Sequence, residues 1–131
     1  MATIFTKIVN GDIPCYKVAE TNSFLAFLDI NPNTKGHTLC IPKMEIDKVF
    51  DLDKKKFLEL MDFSRRVAVA IEKSIDCKRV GMSVIGLEVP HAHIHLIPIT
   101  TMDDMNFSRP KLSPSQDELV DMAKLISANF N

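Results

Sequence analysis

Residues 91–96 read His-Ala-His-Ile-His-Leu, a polar–apolar alternation with a period of two. In an extended strand every second side chain shares a face. The run therefore predicts a strand from His91 to Ile99 with His91, His93 and His95 on one side. Ala92, Ile94 and Leu96 point to the other side, into a core. Three ionisable rings on one face of an otherwise apolar strand restrict the fold and also call for a chemical reason.

Other elements can be placed around this strand. Thr3 caps a short helix carrying Ile4, Phe5 and Ile8, and Asn10-Gly11-Asp12-Ile13-Pro14 is a turn that ends it. Cys15 to Glu20 and Phe24 to Ile30 read as strands joined at Thr21-Asn22-Ser23, and His37 to Ile41 follows a loop at Asn31 to Gly36. From Asp53 to Ile75, the residues Phe57, Leu60, Met61, Val67, Ala68, Ile71 and Ile75 recur at helical spacing. The lysines at 54–56 and Arg65-Arg66 fall mostly off that stripe, on a solvated face. Val80 to Ile85 is a fourth strand. Ser113 as N-cap, Pro114 at the first helical position and Gln116 predict a final helix over about 114–130. This order predicts an α+β domain built on an antiparallel sheet.

The length of 131 residues suits one domain spanning 1–131, with 101–131 as a C-terminal extension. A net charge of −1, from 16 basic and 17 acidic residues, argues against nucleic acid or an anionic membrane as partner. No apolar stretch approaches the roughly 20 residues of a membrane span, and Met1 to Phe5 lacks the pattern of a signal peptide. Cys15, Cys40 and Cys77 are odd in number and far apart, as expected of reduced thiols in a cytoplasmic protein.

Two chemistries could use the histidine row. In the first, two of the rings bind a metal ion with His37 as a third ligand, although the run contains no carboxylate to complete the set. Along a strand, neighbouring rings of the row stand roughly 7 Å apart and the outer pair roughly 13 Å, so one ion reaches only two of them. In the second, a neutral imidazole acts as nucleophile while its neighbours fix its tautomer and handle protons.

The segment His91-Ala92-His93-Ile94-His95-Leu96-Ile97-Pro98 resembles the His-x-His-x-His-x-x-Pro motif of the histidine-triad (HIT) nucleotide-binding family. Ile4-Phe5-Thr6-Lys7-Ile8 with Gly11-Asp12-Ile13-Pro14, Phe27 to Pro32 and Gly36 to Lys43 resemble its preceding blocks in order. The resemblance implies a five-stranded antiparallel sheet with packed helices, paired into a homodimer. It implies that His93 is a nucleophile forming a nucleotidyl-histidine intermediate. His91 and His95 would orient it and contact phosphate, with His37 behind them. Asp29 would hold ribose hydroxyls, and Ile4, Phe5, Ile8, Phe27 and Leu39 would line a base pocket, though packed core describes these apolar residues nearly as well. No metal or cofactor is implied, and the Cys-based zinc ligands of some bacterial members are missing, with Thr6 where a first cysteine is expected.

This chain differs from the phosphoramidase branch of the family at Gly86-Leu87-Glu88, where many members have Gly-Gln-Ser. A carboxylate near phosphate is repulsive unless it is protonated, paired or turned away. Ala92 and Ile94 separate the chain from the uridylyltransferase branch, which has prolines there. Met102, Met105 and Phe107 either cover the pocket mouth or a partner subunit, or only anchor the tail. The expected function is cleavage of a phosphoramidate or phosphoanhydride bond at the α-phosphate of a purine nucleotide. Backbone amides and protonated histidines would stabilise the developing charge. Rival expectations are dinucleoside polyphosphate cleavage, a non-catalytic nucleotide-binding module and a metal-dependent enzyme.

Overall fold

The computed structural model describes residues 2–131, so Met1 of the opening segment lies outside the described residues. Helix α1 (Ile4–Val9) starts where expected, because the Thr3 side chain accepts from the Thr6 N–H. Strands β1 (Lys17–Glu20), β2 (Phe24–Leu28) and β3 (Thr38–Pro42) follow, then helix α2 (Lys54–Ser74) capped by Asp53. Strands β4 (Arg79–Ser83) and β5 (Ile94–Ile99) complete the sheet, and α3 (Gln116–Ala128) closes the chain. The strands lie in the order β1-β2-β3-β5-β4, every neighbouring pair antiparallel. This is the expected five-stranded α+β architecture. Among the described residues no helix is long and apolar enough to cross a membrane.

The sheet is covered on both faces, which is why β2 and β3 are buried throughout. On one face, α2 presents Leu60, Phe63, Val67, Ala70 and Ile71 to Phe24, Ala26, Leu28, Cys40, Ile94 and Leu96. Helix α3 adds Leu119, Ala123 and Ile126 to the same core. Each such side chain contributes about 1.5–3 kcal/mol through burial. The predicted α2 stripe is thus rotated slightly: Phe63 and Ala70 join it, while Phe57, Met61, Ala68 and Ile75 are only partly buried. On the other face, α1 and Phe5 cover Leu25, Phe27, Leu39 and Ile41.

Most strands differ from expectation by one or two residues at an end, β1 starting at Lys17, β2 ending at Leu28, β3 running from Thr38 to Pro42 and β4 from Arg79 to Ser83. Two further differences have a traceable cause. Strand β5 starts at Ile94 rather than His91, because its ladder with β3 runs only from Thr38↔Leu96 to Cys40↔Ile94. The next positions on β3 lead to Pro42, which has no N–H to donate. The incoming segment bonds elsewhere, with the Ala92 N–H donating to the Ile46 carbonyl at 2.6 Å. The cap of α3 is Ser115, not Ser113. Ser115 and Glu118 form a reciprocal capping box, and this wins over the weaker pairing available to Ser113 and Gln116.

Candidate functional site

Strand alternation puts His37, Leu39 and His95 on the α1 face of the sheet, and the irregular segment before β5 delivers His91 and His93 to the same side. The rings form a continuous row: Phe5 meets His91 and His93 edge-on at 5.8 and 5.0 Å, His93 meets His95 at 4.9 Å, and His95 meets His37 at 5.2 Å. The predicted shared face survives although the predicted strand is shorter. His93, His95, His37 and Asp29 line a cavity of about 690 Å³ whose other walls include Leu87, Glu88, Phe107 and Lys111. A smaller apolar cavity of about 280 Å³ lies between the 32–37 loop and α3, but neither His93 nor His95 reaches it.

Backbone groups assign the proton on each ring. His93 Nδ1 lies 2.7 Å from its neighbour His91's carbonyl oxygen, so Nδ1 carries the hydrogen and Nε2 keeps its lone pair. His91 Nε2 lies 2.8 Å from the Pro42 carbonyl and must donate, which leaves Nδ1 to accept from the Thr3 hydroxyl at 3.0 Å. His37 Nδ1 accepts from the Asn33 N–H at 3.0 Å, so its hydrogen is on Nε2. That Nε2–H donates to His95 Nδ1 at 3.0 Å and sets the His95 hydrogen on Nε2. The site therefore contains one imidazole with a free Nε2 lone pair, beside another that offers an Nε2–H.

Burial also disfavours the charged form of three of these rings. It holds His37 down to about 3, with His95, Lys111 and His93 adding to the effect. It holds His95 down to about 4, with His93 and Lys111 assisting. His93 is likewise lowered by burial, against the opposing pull of the His91 carbonyl, Asp29 and Glu88. Burial thus favours the neutral form of His37, His95 and His93. Burial raises Asp29, while the Asn31 N–H, which it accepts at 2.9 Å, pulls the other way. The 3.8 Å approach of His37 Nε2 to Asp29 is accordingly not an ion pair.

Asp29, His37 and His95 place ligand atoms within 4.8 Å of one another, a grouping that could suit a metal ion. Asp29 supplies the carboxylate that the histidine run itself lacks. Ligation through His37 Nε2 would move its hydrogen to Nδ1, where it would face the Asn33 N–H donor-to-donor. The hydrogen-bond pattern suits a proton-ordered relay better than a metal cage.

The apolar residues expected to line a base pocket lie under α1, and Phe5 among them meets His93. Phe5, Phe27 and Leu39 are buried in the cluster under α1, with Ile8 packed against it, and Ile4 is 49% exposed. None of them lines the cavity beside His93.

Several site residues gave no clear signal in the sequence. Around His91, Thr3 and Thr6 share Glu45, which accepts from the Thr3 N–H at 2.9 Å and the Thr6 hydroxyl at 2.6 Å. This network ties the start of α1 to the triad at the position where the zinc cysteines of other members were expected. Asn33, wholly buried, joins His37 to the C-terminal extension by donating to the Asp104 and Asn106 carbonyls. From the extension, Phe107 meets His95 edge-on at 4.9 Å, and Met105 seats against Gly81. Met102 remains exposed. Lys111 was missed because only the tertiary fold brings it back to the triad.

A five-stranded antiparallel sheet with His37, His93 and His95 beside one cavity defines the class of fold, and comparison with known proteins gives the family. The HIT domain model matches residues 10–102. A HIT-like protein of unassigned function from Borreliella burgdorferi is 34% identical, covering 97% of this chain and 97% of its own. An adenosine 5'-monophosphoramidase from Schizosaccharomyces pombe is 40% identical over 75% of this chain and 74% of its own. The crystal structure of a HIT-like protein from Bartonella henselae superposes with a TM-score of 0.85 at 26% identity, covering 98% of this chain and 96% of that one. The chain belongs to the HIT domain family, which includes adenosine 5'-monophosphoramidases.

Proposed function

We propose that this protein hydrolyses a purine nucleotide at its α-phosphate, releasing an amine from a phosphoramidate, through a covalent intermediate on His93. The observation that carries this reading is the tautomer of His93. Its Nδ1–H is held by the His91 carbonyl, which leaves a neutral Nε2 lone pair on a ring lining the cavity. That lone pair attacks phosphorus, and the P–N bond breaks. The amine leaves with the bonding pair and takes its proton from water. Water then attacks the phosphorus, the His93 N–P bond breaks with its pair returning to Nε2, and the nucleoside monophosphate is released. His95 supplies an Nε2–H toward the phosphoryl oxygens, fixed in that role by His37. His91 holds the segment through Pro42 and Thr3, and Asp29, at the cavity wall, takes the ribose hydroxyls.

The similarity to adenosine 5'-monophosphoramidases supports this choice of substrate. Leu87 and Glu88 line the same cavity and adjust how the leaving group is handled. The three free cysteines fit a cytoplasmic setting. The test is hydrolysis of an adenosine phosphoramidate by wild type and His93→Ala, with AMP binding measured on both. Turnover is expected to fall by on the order of 10³-fold or more with binding retained. Binding by wild type without turnover, dinucleoside polyphosphates included, would leave a regulatory binding module instead.

A further inference from the structure

A nucleotide phosphate brings at least one negative charge into a cavity where burial disfavours the charged form of its histidines. The charged walls of that cavity are Asp29 and Glu88, both acidic, and Lys111. A cation would offset that charge beside the neutral donors, and Lys111 is the only lysine or arginine lining the cavity among the described residues. We propose that Lys111 binds the α-phosphate of the substrate, and that residues 100–112 form a strap built to deliver it to the triad. The proposal rests on the nucleotide reading above and adds a phosphate contact from outside the histidine row.

The strap has the marks of a fixed element. A short 3₁₀ turn at Met102–Met105 is closed by Asp104, which accepts from the Thr100 N–H at 2.8 Å and the Thr101 N–H at 3.1 Å. Arg109 is spoken for: it pairs with Asp104 at 2.8 Å and Asp103 at 3.6 Å. Those two backbone donors and Arg109 hold the Asp104 carboxyl down to about 2. Met105 occupies the space left by the missing side chain of Gly81, and the Leu112 N–H donates to the Pro32 carbonyl at 3.0 Å. Buried Asn33 reaches the strap from the other side.

Within this frame Lys111 Nζ donates to the Asn33 side-chain oxygen and stands 5.0 Å from the centre of the Phe107 ring, which itself packs on His95. An ammonium has three donors. One goes to Asn33, which aims the group, and two remain for phosphoryl oxygens. The charge of Lys111 already acts on Asp29, His37 and His95. The same lysine that discourages protonation of the relay thus supplies the positive charge that the relay gives up.

The test compares AMP with adenosine, which lacks the phosphate, by calorimetry on wild type, Lys111→Met and Lys111→Arg. Loss of one charged hydrogen-bonding partner is expected to weaken AMP about 10-fold in Lys111→Met and leave adenosine unchanged. Lys111→Arg is expected to recover most of the AMP affinity, and unchanged adenosine binding shows that each variant keeps an intact site. If AMP and adenosine weaken together, or if Lys111→Met binds AMP like wild type, the inference is wrong while the nucleotide reading stands. A wild type that binds neither ligand removes both.

Discussion

His37 illustrates how one ring can be fixed from several directions. Its Nδ1 is held by a backbone amide, its Nε2–H by His95, and its ring packs against Phe107 at 6.3 Å, so gaining a proton would break these contacts in a buried setting. This has a consequence for stability. The folded values of about 3 for His37 and about 4 for His95 lie below the ordinary 6.5. As pH falls, the unfolded chain therefore takes up protons before the folded one. Stability from these rings is complete above about 6.5 and is lost as pH drops from there toward 4. Asp29, raised by burial, acts in the opposite sense and only in the carboxylate range. The urea midpoint is thus expected to fall between pH 6.5 and 4. His37→Gln is expected to be less stable throughout but to show a shallower slope over that window. An unchanged slope in the variant would mean that the ring does not titrate on unfolding.

At the scale of elements, the turn leading into β3 depends on Gly36. Its φ of 93° suits glycine, and a Cβ there would meet Ile75 Cδ1 at 2.0 Å and Pro98 Cγ at 3.3 Å. Gly36→Ala is expected to cost about 2 kcal/mol from the backbone alone, measured by denaturant unfolding. It should also reduce activity, because His37 is the next residue. Local signals in the sequence were readable at this scale: Thr3 and Asp53 cap their helices with hydroxyl or carboxylate to N–H bonds that need only neighbouring residues. The alternation of Ala92, Ile94 and Leu96 located the core because burial follows side-chain direction even where the ladder has stopped. The start of β5 was not readable, since it depends on Pro42, a residue of the partner strand distant in sequence. The strap was still less so. Phe107 and Lys111 look like tail residues until Asn33, Gly81 and Pro32 give them something to hold.

For the molecule as a whole, the two sheet edges differ. Among the described residues, β1 pairs only with β2 and carries exposed Lys17 and Glu20, whereas β4 pairs only with β5. Met82, Val84 and Ile85, on and just beyond β4, are exposed apolar side chains at that edge. An open strand edge with apolar flanks is a pairing site unless something blunts it. We expect two copies to join there, in line with the homodimer the family resemblance implied. Light scattering should give about twice the chain mass of 14.8 kDa for wild type and the single mass for Met82→Lys. A wild type at the single mass would show that the edge stays unpaired.

The proton arrangement of the triad is set largely by groups that do not depend on residue type. The Pro42 and His91 carbonyls and the Asn33 amide would be there whatever side chains those positions carried, proline at 33 excepted. Mutational drift around the site can therefore alter packing and charge while His91, His93 and His37 keep their hydrogens on the same nitrogens. Lineages could change which leaving groups they accept, as Leu87 and Glu88 suggest for this one, without rebuilding the nucleophile.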